Sequence, residues 1–122
     1  MPAYGTLNPP TSLIPGDLPL LLLNGTEVIG AANYKSDRFA SGIQGGAQQQ
    51  GTTFILTGCP NGTQVNIQAA NQDVDALYET VWTMIPDATG NNAYTDIGYS
   101  KFYRAIIPAL TAGDVPVLSA SR

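Results

Sequence analysis

Asn71, Asp73 and Asp75 place oxygen-bearing side chains at alternate positions, as a calcium loop does where it begins. The match stops there. Ala76 stands where such a loop turns on glycine, and no glutamate closes it. A solvated loop with Asx turns is the simpler account, and no metal or other cofactor is expected. Asp73, Asp75 and Glu79 also form the only local acidic group. A glycosidase needs two carboxylates facing each other across a cleft, and the sequence offers no clear pair.

Cys59 is the only cysteine, and histidine is absent. A Ser-His-Asp or Cys-His arrangement is therefore impossible. The commonest general base and metal ligand is missing as well. Cys59 begins a Cys-Pro-Asn-Gly stretch that reads as a turn. A small packed side chain is expected there rather than a reactive thiol. The expectation from these residues is a protein that is not an enzyme.

Aromatic rings offer a different chemistry. Exposed Tyr78, Trp82, Tyr94 and Tyr99 on a sheet would stack on sugar rings, as in a carbohydrate-binding module of a fibre or attachment protein. Core and interface packing competes with that reading, and Phe54, Trp82 and Phe102 are expected in such packing. The position of these rings decides between the two.

Composition narrows the partners. Only 11% of the 122 residues are charged, so Thr, Asn, Gln, Ser and Gly must supply most of the polar surface. The net charge is −4, and the five basic residues form no stripe, so nucleic acid is not an expected partner. Neither is a membrane. The longest apolar run, residues 18–23, contains Pro19 and is too short to span one. The N-terminus has no basic region of the kind that opens a signal peptide. A single cysteine fits folding in a reducing cytoplasm. The Asn-Gly-Thr sequences at Asn24 and Asn61 then read as turns.

These residues must be held by strands. Residues 63–70 alternate, with Val65, Ile67 and Ala69 on one face and Gln64, Asn66 and Gln68 on the other. Residues 20–23, 26–31, 34–43, 52–57, 78–85, 94–97, 102–107 and 115–120 also read as strands, separated by Gly, Pro and Asn turns. Pro116 lies inside the last of these, which predicts that the strand is at a sheet edge or has its N–H facing solvent. Residues 73–78 hold one helical turn at most. The predicted fold is all-β, an antiparallel sandwich of about seven short strands, Ig-like or jelly-roll-like. Five prolines in residues 1–20 predict an extended arm, so residues 1–24 are read as arm and residues 25–122 as sandwich. Tyr4, Leu7, Leu13 and Ile14 are the apolar residues by which that arm would lie on a neighbour.

The order of motifs in residues 51–122 resembles a family. It runs from Thr53-Phe54-Ile55-Leu56-Thr57-Gly58 through Thr63-Gln64-Val65-Asn66-Ile67-Gln68 to Val81-Trp82-Thr83-Met84. Lys101-Phe102-Tyr103-Arg104-Ala105-Ile106-Ile107 follows, and Gly113-Asp114-Val115-Pro116-Val117-Leu118-Ser119-Ala120 ends it. This is similar to small β-sandwich proteins of tailed-phage virions, of the capsid-decoration (cement) or head-fibre type. Residues 71–79 depart from it, being longer than the Asn-Asp-Gly-Thr turn common there. Residues 1–40 carry no part of the likeness. The resemblance implies a virion protein on the exterior of the capsid, with the major capsid protein as partner. It also implies self-association, as a trimer.

Overall fold

A computed structural model describes residues 11–12, 20–24, 32–36, 38–40, 51–97 and 102–121. They fold as an all-β sandwich of two sheets. Ten strands lie among them: β1 (Thr11–Ser12), β2 (Leu20–Leu23), β3 (Ala32–Lys35), β4 (Phe39–Ala40), β5 (Thr52–Thr57), β6 (Val65–Ala70), β7 (Glu79–Met84), β8 (Asn92–Asp96), β9 (Phe102–Ala109) and β10 (Val117–Ser121). The six-stranded sheet runs β1-β4-β9-β6-β7, with β3 also paired to β9. The four-stranded sheet runs β2-β10-β5-β8. Every pairing is antiparallel except the two-residue contact of β1 with β4.

Alternation builds the core. In β5, Thr52, Phe54 and Leu56 point inward and are buried, while Thr53, Ile55 and Thr57 point out. In β6, Val65, Ile67 and Ala69 are buried, as their spacing predicts. Phe39, Tyr103 and Phe54 fill the centre, with ring centroids 5.7 Å apart for Phe39–Tyr103 and 5.5 Å for Phe54–Tyr103. Phe102 stands half-buried.

The edge position that Pro116 suggested for the last strand is overturned. β10 is an interior strand, between β2 and β5, because Pro116 stops one residue short of it and leaves its ladder donors intact. Pro108 lies within β9. It falls beyond the β6 pairing, which ends at Asn66–Ile106, so no donor to β6 is lost there. The strand expected across residues 34–43 is broken into β3 and β4 around the buried Ser36, whose N–H donates to Ala105 O at 2.8 Å. Leu20–Leu23, the end of the segment expected as an arm, is β2, and Leu22 and Leu23 are in the core. The strand expected at residues 26–31 lies outside the described residues.

Candidate functional site

The acidic residues 73 and 75 are committed to ion pairs. Between β6 and β7 the chain makes a single 3-10 turn, Asp75–Leu77. Asp73 accepts from Arg38 Nε at 2.6 Å and from the Tyr78 hydroxyl at 2.8 Å. Asp75 accepts from Arg104 Nη1, and Lys35 Nζ is 3.7 Å away. Arg104 also donates to Gln68 Oε1 at 2.8 Å and covers the Tyr78 ring at 4.3 Å. The Arg104 hydrogen bond holds the Asp75 carboxyl below its ordinary pKa. The calcium-like spacing is thus a strap, tied to the outer face of the six-stranded sheet by Lys35, Arg38 and Arg104. Among the described residues, no three Cys, Asp or Glu gather as a metal site.

Cys59 is buried where three turns meet. Its N–H donates to Gly90 O at 3.1 Å, and its thiol points to Thr57 O at 3.7 Å. Burial, with Asp114 nearby, pushes the thiol up to about 11. A thiolate is the reacting species, so this group is inert at neutral pH. Iodoacetamide at pH 7.5 is expected to leave Cys59 unmodified in the native protein and to alkylate it in denaturant, as read by mass spectrometry. Alkylation of the native protein at the rate of a free thiol would contradict this.

The aromatic residues separate. Tyr78 is buried beneath Arg104. Tyr94 stacks between Phe54, at 6.3 Å, and Trp82, at 5.1 Å and 5°. The Tyr94 and Tyr103 hydroxyls both donate to Asp96. Burial, and then the bond to Asp96, pushes the Tyr94 hydroxyl up to about 12. Phe54 is in the core as expected, but Trp82 is 49% exposed and closes the flank where β7 meets β8. Tyr99 lies outside the described residues, as do Tyr4, Leu7, Leu13 and the side chain and backbone of Ile14.

The surface that stands out was not a sequence-level candidate. The outer face of the four-stranded sheet carries Leu21, Thr53, Ile55, Thr57, Ala93, Thr95, Val117, Ser119 and Ser121. None of them is charged. Leu21 is 55% exposed and Ile55 47%. Two of their polar neighbours satisfy each other: the Thr53 and Thr95 hydroxyls bond at 2.9 Å. At the rim, Asp87 accepts from Thr89 N, Thr89 Oγ1 and Asn91 N, and the Thr89 hydroxyl leads in holding its pKa low. A groove of about 500 Å³ runs beside Ile55, Thr57, Ala93, Asn91 and Asn92. Covering such a face strips water from no charged group.

Three edges of the sandwich are blunted. β7 bulges, since Ile67 faces Trp82 while Gln68 faces Thr80, leaving Val81 as the extra residue. β2 bulges at Leu22 in the same way, between Leu21 and Leu23. On β8, the Asn92 side chain accepts from Ala93 N at 2.6 Å and donates to Ile85 O at 2.6 Å. Strand addition at these three edges is hindered. The sequence signal for the neutral face was its low charge with alternating strands. What it lacked was the neighbour order β2-β10-β5-β8, which gathers outward residues from distant segments.

The fold and this face define a β-sandwich with one neutral face and one strapped, ion-paired face. No protein-family model, curated protein or solved structure matches the chain.

Proposed function

We propose that this chain is a structural protein of a tailed-phage virion, one that decorates the outside of the capsid by binding the assembled lattice of the major capsid protein. The observation that carries the reading is the uncharged outer face of the four-stranded sheet, whose exposed Leu21, Ile55 and Val117 have no charged residue among them. Surfaces that stay covered for life are apolar and poor in charge. Blunted edges keep such a protein from polymerising before it reaches its site. The inert Cys59 suits a chain that folds in a reducing cytoplasm and needs no disulfide.

The mechanism is area without catalysis. Each copy bridges capsid subunits and adds contacts that the separated subunits lack. A protein that binds only the assembled lattice stabilises it by mass action. Tyr4, Leu7, Leu13 and Ile14 are the residues proposed to lie on the capsid or on a sister subunit. The test is co-sedimentation with empty expanded capsids of the same phage. Saturable binding is expected, and protein left wholly in the supernatant would remove the main support.

A second reading keeps one observation in its favour. Trp82 is half-exposed and pinned by Tyr94, which is how a sugar platform presents a ring. A fibre module binding host glycans would lose that binding on Trp82→Ala. It is the weaker reading, because Tyr78 lies under Arg104 and Tyr94 is sandwiched between rings.

A further inference from the structure

The central row of the neutral face alternates in size. Across the strands β2, β10, β5 and β8, it reads Leu21, Ser119, Ile55, Ala93, each paired with the next by register. Large and small alternate, and the order reverses about the row's centre. A two-fold axis running along the strands, in the plane between two facing copies, exchanges β2 with β8 and β10 with β5. It sets Leu21 over Ala93 of the second copy and Ile55 over Ser119. Each large side chain meets a small one. Ala93 and Ile55 line the apolar side of the groove of about 500 Å³, which Asp87 also borders, and this is where Leu21 of the second copy would enter. In the next row the same axis sets Val117 over Thr57, a pair of similar shape. None of the paired residues is charged, and Asp87 stays at the rim of the groove.

We infer that this face pairs with a second copy of the chain, sheet on sheet, with strands aligned as in other packed sheets. The inference rests on the reading that copies are gathered on an assembly. Four strands about 4.8 Å apart and about 17 Å long give a footprint of about 300 Å². A stable complex buries about 800 Å² on each partner. The pair is therefore weak, formed at about 1 mM and dissociated at about 1 μM. Copies held side by side on a lattice reach millimolar effective concentration, so pairing then follows binding. The symmetry is two-fold, where the family resemblance implies a trimer.

The test is sedimentation equilibrium of the full chain from about 1 μM to 1 mM, with three variants. Ser119→Ile sets isoleucine over Ile55 of the second copy and is expected to weaken the pair about tenfold. Ile55→Ser leaves serine over serine and weakens it about as much. The double variant Ile55→Ser with Ser119→Ile restores large over small and returns the constant to within about threefold of wild type. Both positions face outward, and thermal melts of each variant show that the fold is kept. If Ser119→Ile tightens association, the contact is unspecific apolar burial and the inference is overturned. So it is if the double variant is no better than the singles, or if the wild type stays monomeric at 1 mM. Capsid co-sedimentation is a separate readout. Monomeric protein that still binds capsids overturns the pairing alone. Pairing without capsid binding supports it while removing the virion reading.

Discussion

Asp114→Ala is expected to destabilise the protein by about 3 kcal/mol and to lower its melting temperature by about 10 °C. Asp114 is buried between two turns at one end of the sandwich. It accepts from Asn61 N at 2.8 Å, Thr63 N at 3.0 Å and Thr63 Oγ1 at 2.7 Å. The Thr63 hydroxyl in turn accepts from Thr111 N at 2.9 Å. Alanine leaves those donors without their acceptor, and buried unpaired donors cost most of the effect. The neighbouring backbone gives no room to compensate. Gly58 has φ of +81° and lies against the Val115 carbonyl, so no side chain fits there.

The same substitution has a pH signature. Burial pushes the Asp114 pKa up, but the bonds from Thr63 and Asn61 outweigh it and hold the group below its ordinary 3.8. A depressed carboxyl pKa stabilises the fold above the unfolded value and loses that stability as pH falls through the folded one. The difference between wild type and Asp114→Ala is therefore full at pH 7 and shrinks below about pH 4. Urea melts at pH 7 and pH 3 check this. A difference that is equal at both would mean that the charge contributes nothing.

Phe54→Ala is expected to cost about 4 kcal/mol. The ring is fully buried and joins both sheets, touching Phe39 at 6.1 Å, Tyr103 at 5.5 Å and Tyr94 at 6.3 Å. Removing it opens a cavity that these stiff rings cannot close. The loss reaches the surface, because Tyr94 supports Trp82 and Ile55 follows Phe54 in β5. Tryptophan fluorescence is expected to shift to the red as Trp82 loses its backing. A cost below about 1 kcal/mol would show that the core repacks around the gap.

Much of the fold was legible because its strands alternate. β5 and β6 announce themselves through Phe54, Leu56, Val65 and Ile67 on one side and threonine, asparagine and glutamine on the other. Pro116 misled, since a proline one residue before a strand looks the same in sequence as one inside it. Asp73 and Asp75 show another limit. Their spacing resembled a metal loop, while their partners Arg38 and Arg104 lie 35 and 29 residues away. Local pattern cannot report a partner so distant. The neutral face was hidden for the same reason. Leu21, Ser119, Ile55 and Ala93 come from four separated strands, and only the sheet order brings them into one row.

The calcium-like spacing of Asn71, Asp73 and Asp75 is no site: Asp73 and Asp75 tie down a strap on the opposite face. The uncharged row is what the sandwich presents. Co-sedimentation of wild type and Ile55→Glu with empty expanded capsids of the same phage tests this most directly. Wild type is expected to bind saturably, and the added charge, which leaves the core untouched but opposes the pairing of copies across this face on the lattice, to reduce binding about tenfold or more. Equal binding of the two proteins, or no binding by either, would contradict a virion role carried by this face.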